Sequence, residues 1–307
     1  MRQTRTSAHT CCLDGAAIVT PPKLNNRQKL LVTLLQEAGG TAPRISFMKW
    51  LFLLSQETDW GISECPYEFV PYRYGPFSFV AYHDLRKLES MGVVQQAEGA
   101  FVLCEGDAPG SSTALDAVRE VVGKYGQHSP DELMADVYSR YDWFAMLTER
   151  PELAEHIPQR GLAEPAVYTL GYAGRNLDGF LYLLLERELA GVIDVRSSPR
   201  SRVYGFAGTT LERNLGELGL QYVAMPELGI PSEARQDIGS TAKRSALLEQ
   251  YGEWLDETQT DSVAQVAALM TDAPLALMCM ESEATDCHRS VLATAVNDVA
   301  GLGVTHL

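Results

Sequence analysis

Residues 191–202 read GVIDVRSSPRSR. An apolar run ends in an aspartate and then opens into a loop of serines, a proline and three arginines. That is the reading of a buried parallel strand that empties into a polar rim. Working outward, the same kind of apolar run recurs as AVYTLGY from Ala166, LQYVAM from Leu220, PLALMCM from Pro274 and GVTHL from Gly303. The intervening periodicity predicts helices near 176–189, 209–219, 242–270 and 287–299. Strands alternating with helices imply an α/β fold with a parallel, Rossmann-like sheet of about five strands, covered on both faces.

In such sheets ligands sit beyond the carboxyl ends of the strands. Here those ends hold Gly171-Tyr172-Ala173, Asp194 to Arg202, Glu227, Cys279 to Glu281 and His306. The window 194–213 has four arginines against two acids, inside a region 164–307 with 10 basic and 20 acidic residues. Arg196, Ser197, Arg200, Arg202 and Arg289 are therefore expected at a phosphate or carboxylate, whose oxygens match the guanidinium fork. Asp194 is expected to be partly buried, either orienting Arg196 or acting in catalysis. Glu281 and Glu227, on neighbouring rim loops, are candidates for acid–base work if their environments split their pKa values.

Cys287-His288-Arg289 opens the helix after Thr285-Asp286, either of which could be its N-cap, and a thiol at a helix N-terminus is favoured as thiolate. Cys279 lies eight positions earlier. The pair admits three readings: packed structural cysteines, an anion site using His288 and Arg289, or a thiol nucleophile or redox pair. A zinc site of Cys279, Cys287 and His288 is the weakest, because the separation does not match a zinc knuckle and no second cysteine pair is at hand. No metal and no cofactor are expected. Walker, dinucleotide-glycine and nucleophile-elbow motifs are absent from the sequence, which disfavours NTPase, dehydrogenase and hydrolase functions.

The first half reads differently. Residues 1–24 suggest a flexible tail, 25–149 a helical, winged-helix-like domain, and 150–165 a linker rich in proline and glycine. The α/β domain occupies 166–307. In the helical part, Tyr72-Arg73-Tyr74-Gly75-Pro76-Phe77 interleaves aromatics with an arginine and suits contact with a nucleic acid or protein strand, or an aromatic core turn at Gly75-Pro76. The next helix, Ser78 to Ser90, would be the recognition helix. Its His83, Asp84, Arg86, Lys87 and Glu89 make it a poor duplex reader by charge.

Composition bounds these readings. The chain has 307 residues and a formal net charge of −15, so it is not a bulk neutraliser of duplex DNA. The charge argues instead for a small, confined anion site. Six cysteines without framework spacing, no run of membrane-span length and no signal-peptide core lead to the expectation of a soluble, cytoplasmic protein with free thiols.

Residues 166–307 resemble the domain of unknown function 488 family. The resemblance rests on YTLGYAGRNLDGFLYLL, VIDVRSSPRSR, GLQYVAMPELG and LALMCMESEATDCHRSVLA, with the closing GVTHL. It implies the fold and the positions Asp194, Arg196, Pro199, Ser201, Arg202, Cys279, Glu281, Cys287, His288 and Arg289, rather than a reaction. The family's usual Gly-His-Ser is replaced by Gly171-Tyr172-Ala173. Residues 26–147 resemble, more loosely, the Panacea or antitoxin SocA-like domain, on FVPYRYGPFSFVAYHDLRKLESMGVV and YGQHSPDELMADVYSRYDWF. That likeness implies protein neutralisation and phage-defence settings. Three expectations follow: a nucleotide- or nucleic-acid-sensing or processing protein, modified bases included; a non-enzymatic antitoxin or adaptor with a protein partner; and a thiol enzyme using Cys287.

Overall fold

Two capping boxes frame the helical half. The Asn25 side chain accepts from Gln28 N while Gln28 returns a bond to the Asn25 N–H, and Ser129 and Glu132 do the same. The computed structural model describes residues 22–104, 112–231, 234 and 241–307. The flexible tail expected over 1–24 therefore lies almost wholly outside the described residues, as do Cys11 and Cys12.

The first half runs α1 (Asn26–Glu37), β1 (Thr41–Pro43), α2 (Arg44–Glu57), α3 (Asp59–Glu64), β2 (Val70–Tyr72), β3 (Gly75–Phe77), α4 (Phe79–Ser90), β4 (Val94–Ala97), β5 (Ala100–Leu103), α5 (Ser112–Tyr125) and α6 (Pro130–Arg140). The strands β1, β5 and β4 form a three-stranded antiparallel wing. The turn expected at Gly75-Pro76 is displaced. Val70 pairs with Phe77 and Tyr72 with Gly75, so Arg73-Tyr74 make the turn and Gly75-Pro76 lie in β3. Gly75 is required there: its φ is +89°, and a Cβ would stand 2.7 Å from Tyr138 Cε1.

The second half runs β6 (Val167–Gly171), α7 (Leu177–Glu186), β7 (Gly191–Asp194), α8 (Gly208–Glu217), β8 (Gln221–Ala224), α9 (Thr241–Thr258), α10 (Thr260–Asp272), β9 (Leu275–Cys279), α11 (His288–Ala300) and β10 (Val304–His306). The five strands are parallel in the order β10-β6-β9-β7-β8, the α/β sheet expected from the alternation. The helix expected over 242–270 is two helices, broken at Gln259.

The central strand β9 is buried along its whole length, and its side chains alternate. Ala276 and Met278 join a core shared with α7, α8 and the helical half, while Leu275 and Leu277 face α10 and α11. The first of these clusters runs continuously from Leu30 and Phe52 through Phe180 and Phe206. The two halves thus share one apolar core.

A buried carboxylate ties them further. Asp178, at the start of α7, accepts bonds from Ser78 Oγ (2.7 Å), Phe79 N (2.9 Å) and Val80 N (3.0 Å). It caps α4 from the other half of the molecule. Burial pushes its carboxyl up to about 7, against these three bonds. The first turn of α4, the helix expected to read a nucleic acid, is thus covered by α7.

Candidate functional site

The rim loops meet at the carboxyl ends of β6, β9 and β7. Their approach is close: a Cβ on Gly171 would lie 1.8 Å from Glu281 O, and one on Gly229 would lie 2.0 Å from Ser197 N. Asp194 and Arg196 are both buried and paired bidentately, Nε to Oδ1 at 2.8 Å and Nη2 to Oδ2 at 2.6 Å. The remaining Arg196 donor, Nη1, bonds Phe206 O (2.9 Å) and Tyr172 Oη (3.3 Å). Tyr222 donates to Asp194 Oδ2 at 2.8 Å. Tyr172, which stands where the resembled family has histidine, stacks on Phe206 at 4.2 Å and receives Arg196.

Arg196 was expected at a phosphate; in the structure it is consumed in holding the loop. Arg289 is 1% exposed. Its Nη1 donates to Glu281 O and its Nη2 to Ser282 O (2.8 Å), and it makes no ion pair among the described residues. It too braces a loop rather than facing a ligand. Ser197 donates to Ile230 O (2.8 Å). Arg200, Arg202 and Glu227 are exposed, and no bond joins Glu227 to Glu281 among the described residues.

Zinc is the least favoured reading of these residues from sequence, yet the fold brings Cys279, Cys287 and His288 together. Neither Thr285 nor Asp286 caps α11; they lie in a single 3-10 turn, and Cys287 itself is the N-cap residue. That turn folds Cys287 back over the end of β9. Cys279 Sγ and Cys287 Sγ each lie 3.1 Å from Glu281 Oε2 and 3.8 Å from His288 Nδ1. The donor atoms of Cys279, Cys287 and His288 fall within 4.8 Å of one another. His288 Nε2 lies 3.1 Å from Val195 O. A carbonyl only accepts, so Nε2 carries a proton and donates it to Val195, with Nδ1 turned to the two sulfurs.

The two thiols differ. The hydrogen bond from Cys279 lowers the Cys287 pKa, helped by His288 and opposed by burial. That same contact and burial push Cys279 up. Burial also opposes ionisation of Glu281, but its own backbone N–H, the two thiols and His288 prevail and lower its pKa.

A second concave region lies between the halves. A groove of about 750 Å³ runs between the β2–β3 hairpin and α4 on one side and Tyr204 and α8 on the other. Arg44, Arg86 and Arg213 are exposed on its walls and make no ion pair among the described residues. The acid on its lining, Glu217, is bonded by Arg73 Nη2 (2.8 Å) and Tyr72 Oη (2.6 Å). His83 and Tyr204 stack at 3.6 Å. Lys49 lines the groove from a fully buried position, donates to Pro76 O at 3.1 Å, and is lowered to about 7 by burial. Sequence reasoning marked the 72–77 stretch and Arg86 and counted Arg213 in the arginine window 194–213, but missed Arg44, Lys49 and Tyr204. These are dispersed along the chain, so no local window shows them together.

The family model described as "Domain of unknown function DUF488" matches residues 176–296, from α7 into α11, with the strands β7, β8 and β9 but not β6 or β10. Neither the curated proteins nor the solved structures contain a significant match to the chain. Among the described residues no helix is long and apolar enough to cross a membrane.

Proposed function

We propose that the protein binds a single-stranded nucleic acid in the groove between its two halves. The observation that carries this reading is the local reversal of charge. In a chain of net charge −15, one groove gathers Arg44, Arg86 and Arg213 without carboxylate partners beside the aromatic faces of Tyr74, Phe77 and Tyr204. Arginines track a phosphate backbone, and aromatic rings stack the unpaired bases of a single strand. A duplex keeps its bases stacked and asks for a broad basic face, which an acidic surface does not offer.

The nucleic-acid role expected at the strand-end rim therefore moves to the groove, with Arg200 and Arg202 on the loop that leads to Tyr204. A defence setting, implied by the resemblance of residues 26–147 to the Panacea domain, belongs to the same proposal. The test is fluorescence anisotropy with labelled single-stranded DNA and RNA oligonucleotides and the matching duplexes, over a salt series. The single strands bind at least about tenfold more tightly than the duplexes, and the affinity falls steeply with salt. Absence of single-strand binding at low salt refutes the proposal.

A further inference from the structure

We infer that Cys279, Cys287, His288 and Glu281 form a mononuclear binding site for a zinc-class divalent cation, at the carboxyl end of the central strand. The inference is independent of the groove and of its ligand. Three arguments carry it.

The first is donor type and geometry. The two sulfurs and the imidazole nitrogen lie within 4.8 Å of one another, with sulfur–nitrogen distances of 3.8 Å, and Glu281 Oε2 stands 3.1 Å from each sulfur. Ligand–metal bonds of about 2.0–2.3 Å in a tetrahedron put neighbouring ligand atoms about 3.5 Å apart, and the observed separations bracket that value. The second is the support around the imidazole. His288 is 4% exposed, and its Nε2–H is held by the Val195 carbonyl at 3.1 Å. A backbone carbonyl on the far nitrogen is the usual outer-shell anchor of a metal-ligating histidine.

The third is hydrogen-bond accounting. Each thiol has a single proton, yet each sulfur faces Glu281 Oε2 at 3.1 Å and the buried Nδ1 at 3.8 Å, so the two protons cannot serve every contact in the cluster. A central cation satisfies all four donor atoms together. Two thiolates, one carboxylate and a dication leave a net charge of −1, which the unpaired, buried Arg289 beside the loop balances. On binding, the cation displaces both thiol protons to solvent, so no oxidant or reductant is needed.

The spacing argument from zinc knuckles does not apply, because these ligands come from a strand end and a helix start that the parallel sheet places side by side. Cys279 ends β9, Cys287 and His288 begin α11, and Glu281 lies on the loop between them.

The test titrates Co²⁺ into the reduced, metal-stripped full chain, with zinc content measured on untreated protein. The expected result is about one zinc per chain, together with an intense near-ultraviolet thiolate-to-cobalt band and the visible bands of a four-coordinate ion. Cys279→Ser combined with Cys287→Ser removes the thiolate band. Cys11→Ser combined with Cys12→Ser keeps it. The wild-type titration needs no variant to fold, so it decides the question alone. A reduced chain that takes up no Co²⁺, or one whose Cys279 and Cys287 are found as a disulfide after purification without oxidant, overturns the inference.

Discussion

The rim and the groove both concentrate arginine, and they use it in opposite ways. At the rim, Arg196 is locked between Asp194, Phe206 and Tyr172, and Arg289 between two loop carbonyls. Both are buried and bond only to the protein itself, although Arg289 Nε has no partner among the described residues. In the groove, Arg44, Arg86 and Arg213 stand exposed and without ion partners among the described residues. Density of arginine in the sequence marks the rim, but availability of arginine marks the groove. The rim's arginines make a rigid frame for the Cys–Cys–His–Glu cluster. The groove's arginines remain free to pair with an incoming anion.

The sharpest way to break this contrast is to remove a rim arginine. Arg196→Ala leaves Asp194 buried and uncompensated, and should cost about 3–5 kcal/mol of stability, read by urea unfolding. A loss near zero would mean that Arg196 is not structural and that the rim is open to ligands. The shared core between the halves offers a second test. The folded pKa of Asp178 is raised from 3.8 to about 7, so the native state holds a proton that the unfolded state has released. Its stabilising contribution is complete below about pH 4 and is lost as the pH rises to about 7. Asp178→Asn removes that titration, so the stability of the variant relative to wild type should improve across the same window. A difference that is flat with pH contradicts the assignment.

The smallest effect concerns the groove. Lys49 and His83 are both held below their ordinary values by burial, and a bound phosphate backbone favours their protonated forms. Single-strand affinity should therefore fall severalfold, about 1 kcal/mol or less, from pH 6 to pH 8. Lys49→Met combined with His83→Gln should flatten that slope.

What the sequence reveals follows the range of the interactions involved. The sheet is legible because alternation along β9 and the apolar runs of β6 and β7 are local consequences of burial on two faces. The break between α9 and α10 is not, because Gln259 carries no proline or glycine signal and the two helices read as one amphipathic stretch. The positions of Cys279, Cys287, His288 and Glu281 are legible, but their convergence is not. It depends on the 3-10 turn at Ala284–Asp286 returning the chain to β9. Arg196 misleads because its partner Asp194 is two residues away, and sequence alone does not show which of the two faces solvent. The groove is the least legible, since Tyr204 and Arg213 join Arg44, Tyr74 and Arg86 only when the two halves dock through Asp178 and α4.

The contrast between spent and available arginines is tested most directly by two double variants with the same change in net charge. Arg86→Ala with Arg213→Ala strips the groove. Arg119→Ala with Arg187→Ala removes exposed arginines that lie outside the groove lining and already face Glu37 and Glu186. Anisotropy with one labelled single strand should show at least about a tenfold loss for the first and less than about a twofold change for the second. Equal losses in the two variants would show that only net charge matters, and would contradict the groove as the binding site.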